Sequence, residues 1–194
     1  MQRISLINIA HDALKEHIKL NDIVIDATIG NGHDTVFLAE QVGAAGCVFG
    51  FDIQQVAIES TLEKFDSTTK NNAITLFQTS HAEMLEKIPP LHHGKIKAIM
   101  FNLGYLPGGD KSIITCTAST LKALSCACLI LSVGGIMTVT AYPGHTGGDD
   151  ETDQIKSWCA QLDKSFLSVE IISSASDKST APILFIIKKH SKFN

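Results

Sequence analysis

A chain of 194 residues is the size of one domain and can bury a full hydrophobic core without disulfide or metal staples. With 44% hydrophobic and 19% charged residues, it is not a disordered polypeptide. Sixteen basic against twenty acidic side chains leave a net charge of −4, which argues against nucleic-acid binding through bulk positive charge but not against a local basic patch.

The five cysteines, Cys47, Cys116, Cys126, Cys128 and Cys159, have no CxxC spacing, so reduced thiols in a cytoplasmic protein are expected rather than a disulfide framework or a zinc site. Met1–Ala10 lacks the apolar stretch of a signal peptide. Ala123 to Gly148 carries no Asp, Glu, Lys or Arg and is long enough on paper to span a membrane. Gly134-Gly135 divides it, however, so a buried helix, a glycine turn and a buried strand are expected, with no membrane span.

Strand-length apolar runs alternate with helical patterns along the chain. DIVIDATI (Asp22–Ile29) reads as a buried strand, and His33–Val42 as a helix. GCVFGFD (Gly46–Asp52) is a second strand. Gln54–Phe65 is a helix with Val56, Ile58, Leu62 and Phe65 as candidate core positions. AITLFQT (Ala73–Thr79) and KAIMFNL (Lys97–Leu103) are further strands, followed by an apolar helix over Thr117–Leu131 and the strand Ile136–Tyr142. Asp150–Leu162 is an amphipathic helix with acids in its first turn, where the helix dipole favours them. Phe166–Ser173 and Ala181–Lys188 have no room for a helix between them and read as a terminal antiparallel pair. The alternation gives an α/β, doubly wound, mostly parallel sheet covered on both faces, in one domain over residues 1–194. The layout resembles class I methyltransferases, with seven strands and the last one antiparallel.

The first strand runs into Asp26-Ala27-Thr28-Ile29-Gly30-Asn31-Gly32-His33-Asp34-Thr35. Glycines permit a tight turn and close approach of a ligand. Thr35 stands where a dinucleotide fingerprint needs its third glycine, which argues against a pyrophosphate on the helix N-terminus and against an NAD dehydrogenase. An adenosyl ligand with an amino-acid tail needs no such contact. Asp52, ending the second strand, can cap the next helix or accept both hydroxyls of a ribose; beside the glycine loop the ribose reading is preferred. Asp26 can hold the amino-acid end of the ligand or simply fix the loop through backbone amides. Thr79-Ser80-His81 can meet an adenine ring, and Ser80 can equally cap a helix beginning at His81.

The fourth strand ends in FNLGYLPGGDK (Phe101–Lys111). The Asn102 side-chain oxygen can accept hydrogens of an amine substrate and turn its lone pair toward an electrophile. Tyr105 can stack on a base or close the pocket. The fifth strand ends in YPGHTGG (Tyr142–Gly148), where His145 is a candidate proton acceptor or substrate ligand. His92-His93 have no carboxylate at ligand spacing and read as loop residues, and no metal is expected. His11, inside the first helix, faces the ligand or the sheet edge; periodicity does not decide.

DATIGNGHDT, FGFDIQ, FNLGYLPGGDK and YPGHTGG, in this order and spacing, resemble the family described as rRNA methylases, whose members include the tRNA 5-aminomethyl-2-thiouridine methyltransferases of Gram-positive bacteria and plants. The resemblance runs from about Asn8 to Lys188. It implies S-adenosylmethionine as methyl donor and the aminomethyl nitrogen of a tRNA wobble uridine as acceptor; rRNA, a small amine or a non-catalytic role as a partner subunit are the alternatives. It implies cofactor contacts at Asp26, Gly30, Asn31, Gly32, Asp34, Thr35, Asp52, Ile53, Ser80, His81 and Asn102. It implies a catalytic and substrate side built from Asn102, Tyr105, Tyr142 and His145. One segment departs: members carry an Asn-rich stretch ending in Pro-Pro before the last strand, whereas this chain has Ser176-Asp177-Lys178-Ser179-Thr180-Ala181-Pro182. The acidic net charge makes Lys15, Lys19, Lys111 and Lys122 the candidate basic patch for tRNA, alone or assembled across an expected homodimer.

Overall fold

The computed structural model describes residues 5–68, 73–110, 113–173 and 180–192; Lys111 and Ser176–Ser179, singled out above, lie outside the described residues. The elements are α1 (Leu6–Lys15), β1 (Ile23–Asp26), α2 (His33–Val42), β2 (Cys47–Asp52), α3 (Gln55–Thr68) and β3 (Ala73–Gln78). They continue as α4 (Met84–Lys87), β4 (Ile96–Asn102), α5 (Thr117–Ile130), β5 (Leu131–Ala141), α6 (Gly148–Ala160), β6 (Leu167–Ser173) and β7 (Ile183–Lys189). The sheet order is β3-β2-β1-β4-β5-β7-β6. The first five strands pair in parallel, and β7 inserts antiparallel between β5 and β6.

The continuous apolar runs of the inner strands follow from burial on both faces. In β4, Ile99 and Phe101 join the core under α5, while Ala98 and Met100 join the core on the α1–α2 side. In β7, Phe185 and Ile187 face one way and Leu184 and Ile186 the other. A strand buried on both faces thus reads as an unbroken hydrophobic word.

Two expectations need correction. Val56 and Leu62 are exposed, and the buried face of α3 is Ala57, Ile58, Thr61 and Phe65. The small Ala57 and the hydroxyl of Thr61, which donates to the Ala57 carbonyl at 2.8 Å, form the inward stripe that apolar spacing alone passes over. Gly134-Gly135 is not a turn between helix and strand. Strand β5 begins at Leu131 and runs through both glycines, with the β4 register slipping between Ile96↔Leu131 and Ala98↔Ile136. Gly134, at φ +74°, is the residue whose backbone makes this irregularity possible. Cys126, Cys128 and Cys159 are buried packing residues, and burial pushes the Cys128 and Cys159 thiols up to about 12.

Where α5 ends, Lys189 is buried and its ammonium donates to the carbonyls of Cys128 (2.8 Å) and Leu131 (2.9 Å). A cation on the last carbonyls of a helix complements its dipole and occupies groups that have no partner within the helix. Among the described residues no helix is long and apolar enough to cross a membrane.

Candidate active site

Strand order reverses between β1 and β4, the place where parallel α/β sheets open a crevice at the carboxyl ends of their strands. A cavity of about 730 Å³ lies there, within the range of small-molecule sites. Its walls are the loops after β1, β2, β3, β4 and β5, together with Ile7 and His11 of α1 and Ser119 of α5.

The loop after β1 is pinned from both sides. Asp26 is fully buried; its carboxylate accepts from the Thr28 amide at 3.1 Å and from the Thr35 hydroxyl. Burial, reinforced by the nearby Asp34 charge, pushes its pKa up to about 7. Asp26, Gly32 and Thr35 are not among the residues that line the cavity, and Asp26 holds the loop through the Thr28 amide. Gly32, at φ +75°, ends the loop as the residue before α2. Asp52 serves two backbones at once: it accepts from Gly30 N (2.9 Å) and from Gln54 N (2.9 Å), so it joins the glycine loop to the start of α3. A carboxylate has about four acceptor positions, so two remain for a ribose. Asn31 reaches across the cavity mouth and donates to the Pro107 carbonyl at 3.1 Å.

Gly30, Asn31, Asp34, Asp52, Ile53, Ser80, His81, Asn102, Tyr105, Tyr142 and His145 all line the cavity. Ile53 is half exposed beside Asp52, an apolar surface suited to the face of a base. Ser80 does cap, accepting from Ala82 N at 3.2 Å. His81 is buried; its Nδ1 faces the Ala27 carbonyl at 3.2 Å, so that nitrogen carries the proton and Nε2 is left as an acceptor without a partner among the described residues. Burial lowers its pKa and keeps the ring neutral. An unpartnered acceptor beside Asp52 and Ser80 fits the exocyclic amine of an adenine.

On the other side, Thr28 accepts from the Asn102 amide nitrogen of the backbone at 2.7 Å, which locks the end of β4 to the glycine loop. The Asn102 side chain donates through Nδ2 to Asp34 at 3.4 Å, and its Oδ1 is buried with no partner among the described residues. Asp34 also meets Nε2 of His11 at 2.8 Å, and the His11 ring stacks on Phe37 at 3.8 Å between centroids. Tyr142 has its pKa raised by burial and by the Asp34 charge. Tyr105 is half exposed and meets His145 edge-on at 6.1 Å. His145 donates from Nδ1 to its neighbour's carbonyl, Thr146 O, at 3.1 Å. Its Nε2 is buried without a partner among the described residues, facing Gly104 and Gly148, where a Cβ would come within 3.7 Å and 2.8 Å.

The base of the Tyr105 loop hangs on a group that no motif or spacing singles out. Glu151 of α6 is buried and accepts from the hydroxyls of Thr115 (2.7 Å) and Thr120 (2.6 Å). Thr115 in turn accepts from Gly104 N at 3.0 Å. The signal in the sequence is an acid in the first turn of α6, a place where the helix dipole alone already favours one. His92 and His93 stay apart from the cavity, and among the described residues no cluster of three or more His, Cys, Asp or Glu side chains suited to a metal occurs.

This sheet order, the acid after β2 and the cavity at the switch point define the class I, S-adenosylmethionine-dependent methyltransferases. The chain belongs to the family described as "Putative rRNA methylase", whose model matches residues 48–188. A chloroplastic tRNA (mnm(5)s(2)U34)-methyltransferase of Arabidopsis thaliana is 39% identical over 162 residues, 79% of this chain. That match spans 58% of the plant protein's length. The crystal structure of a "putative rRNA-methylase" from Clostridium thermocellum superposes with TM-score 0.91 at 39% identity, covering 97% of this chain and 100% of the other. A "putative methyltransferase" from Streptococcus mutans, solved in complex with SAH, gives TM-score 0.84 at 34% identity over 96% of this chain and 98% of the other.

Proposed function

We propose that the chain transfers a methyl group from S-adenosylmethionine to the aminomethyl nitrogen of 5-aminomethyl-2-thiouridine at the tRNA wobble position. The observation that carries this reading is Asn102: a buried side-chain oxygen with no partner among the described residues, on the cavity wall, at the end of the strand beside the glycine loop. Such an orphan costs about 1–3 kcal/mol, and an amine N–H is the group that removes the cost. The Streptococcus mutans neighbour in complex with SAH supports the donor, and the Arabidopsis relative supports the substrate.

S-adenosylmethionine, when bound, supplies an electrophilic sulfonium methyl. Gly30, Asp52, Ile53, Ser80 and His81 are the residues that would hold it, with the ribose on Asp52 and the base between Ile53 and His81. The substrate nitrogen attacks in line: the N–C bond forms as the S–C bond breaks, and the sulfonium becomes a thioether. Asn102 accepts one N–H of the neutral amine and leaves the lone pair free for attack. The methylated nitrogen then sheds one proton, to water or to His145 Nε2. Tyr105 closes over the base at the mouth.

The test is incubation of purified protein with labelled S-adenosylmethionine and bulk tRNA from cells lacking the gene, followed by nucleoside mass spectrometry. Growth of 5-methylaminomethyl-2-thiouridine at the expense of its aminomethyl precursor is expected. Donor binding with label absent from tRNA would overturn the substrate and turn the search to rRNA or small amines.

A further inference from the structure

Asn102 can serve an amine only one way round. With Oδ1 toward the substrate it accepts an N–H. Turned over, it would present Nδ2 and tie up the lone pair that has to attack. The two ends of an amide have almost the same shape, so packing alone does not choose between them. Asp34 makes the choice: with His11 donating to one of its oxygens, the other faces Asn102 as an acceptor, so the end of Asn102 that faces Asp34 is the NH2. Asp34 is itself pulled in several directions. Buried Asp26 lies close enough to feel its charge, and so does Tyr142. His11 settles it from outside. Its Nε2, facing an acceptor at 2.8 Å, must be the donor, and this bond occupies Oδ1 of Asp34 and leaves Oδ2 for Asn102. The ring is held flat on Phe37, within 5° of parallel, so its own orientation is fixed by packing.

We propose that His11 is a positioning residue for methyl transfer: through Asp34 it fixes the rotamer of Asn102 that presents an acceptor to the amine. This rests on the amine-acceptor reading of Asn102 above. The relay spans α1, α2 and the end of β4, so it also couples the first helix to the reacting centre.

Two substitutions separate the donor from the packing. His11→Phe keeps a ring on Phe37 and deletes the hydrogen bond; His11→Gln keeps a donor for Asp34 and deletes the ring. His11→Ala repeats the loss of the bond at a different packing cost, so a folding failure of one variant leaves the other. For methyl transfer to tRNA carrying the aminomethyl uridine, kcat is expected to fall about tenfold or more in His11→Phe, as for a misplaced reacting group. KM for tRNA and the Kd for S-adenosylhomocysteine should stay within roughly twofold, and His11→Gln should recover most of the lost kcat. An unchanged kcat in His11→Phe, no recovery in His11→Gln, or a parallel loss of S-adenosylhomocysteine binding overturns the proposal.

A second readout does not depend on the substrate. The side-chain amide hydrogens of Asn102, assigned by their disappearance in Asn102→Ala, should show one downfield, slowly exchanging resonance in the native protein and in His11→Gln. That resonance should be lost in His11→Phe, and its persistence overturns the relay. If the native enzyme leaves tRNA unmethylated, the substrate reading fails and this resonance alone decides the relay.

Discussion

Gly32→Ala is expected to be among the most damaging single-atom additions in the molecule. The residue sits at φ +75°, where an alanine costs about 1–2 kcal/mol from its own backbone. The added Cβ would lie 2.3 Å from the Thr61 hydroxyl oxygen and 2.9 Å from the Thr61 Cβ, well inside the ~3.5–4 Å at which atoms rest. Thr61 cannot swing away. It is fully buried on α3, β-branched, and bonded to the Ala57 carbonyl at 2.8 Å. Overpacking of this kind adds about 1–3 kcal/mol, for a total near 2–5 kcal/mol. Gly30→Ala is the internal control. It also has positive φ, +52°, but its Cβ would meet nothing closer than Leu106 at 3.7 Å, so only the backbone term of about 1–2 kcal/mol applies. Urea unfolding of both variants measures the difference: at a slope of about 2 kcal/mol per molar, Gly32→Ala should lose roughly 1–2.5 M of midpoint. If the two variants unfold within about 1 kcal/mol of each other, the clash with Thr61 is not what demands glycine there.

Asp26→Asn should flatten the pH dependence of stability. Burial holds the Asp26 proton to about pH 7, whereas the unfolded chain releases it near 3.8. The folded state therefore binds more protons between these values, and stability falls as pH rises from about 4 to about 7, then levels. The asparagine variant escapes this loss, so its urea midpoint relative to the native protein should rise between pH 5 and pH 8; an unchanged difference refutes the shifted carboxyl. Asn102→Ala should cut turnover by more than it weakens S-adenosylmethionine binding, measured by kinetics and calorimetry, and equal losses would remove the orienting role. Glu151→Ala strands the Thr115 and Thr120 hydroxyls and should cost about 1–3 kcal/mol in thermal or urea unfolding while raising KM for the methyl acceptor through the loosened Tyr105 loop; a stable variant with normal KM would refute that anchoring.

The sheet was legible because its inner strands are buried on both faces and so are spelled in unbroken Val, Ile, Phe and Met. The positions of the loops followed from it, since the carboxyl ends of the five parallel strands fall at one edge. What stayed hidden was pairing at a distance. Nothing near Glu151 announces Thr115 and Thr120, and nothing near His11 announces Asp34, twenty-three residues on. Asp26 was readable as either ligand contact or loop fixer, because both uses need an acid at the same place; its bonds to Thr28 and Thr35 were out of reach of sequence spacing. Val56 and Leu62 misled for a simpler reason: the inward face of α3 is made by Ala57 and Thr61, which carry little hydrophobic signal.

The insertion of β7 between β5 and β6 has a consequence for how the molecule is made. A ribosome delivers strands in chain order, so β5 emerges with an open, apolar edge, and the neighbour that covers it is residues 183–189. Strand β6 is already out by then but cannot dock, because its own partner is also β7. Through that interval the nascent chain exposes both edges, a state prone to pairing with other chains. A stop codon anywhere before residue 183 would therefore remove more than an outer strand: it would leave a half-zipped sheet and an orphaned β6, a species for chaperones and proteases rather than a shortened enzyme.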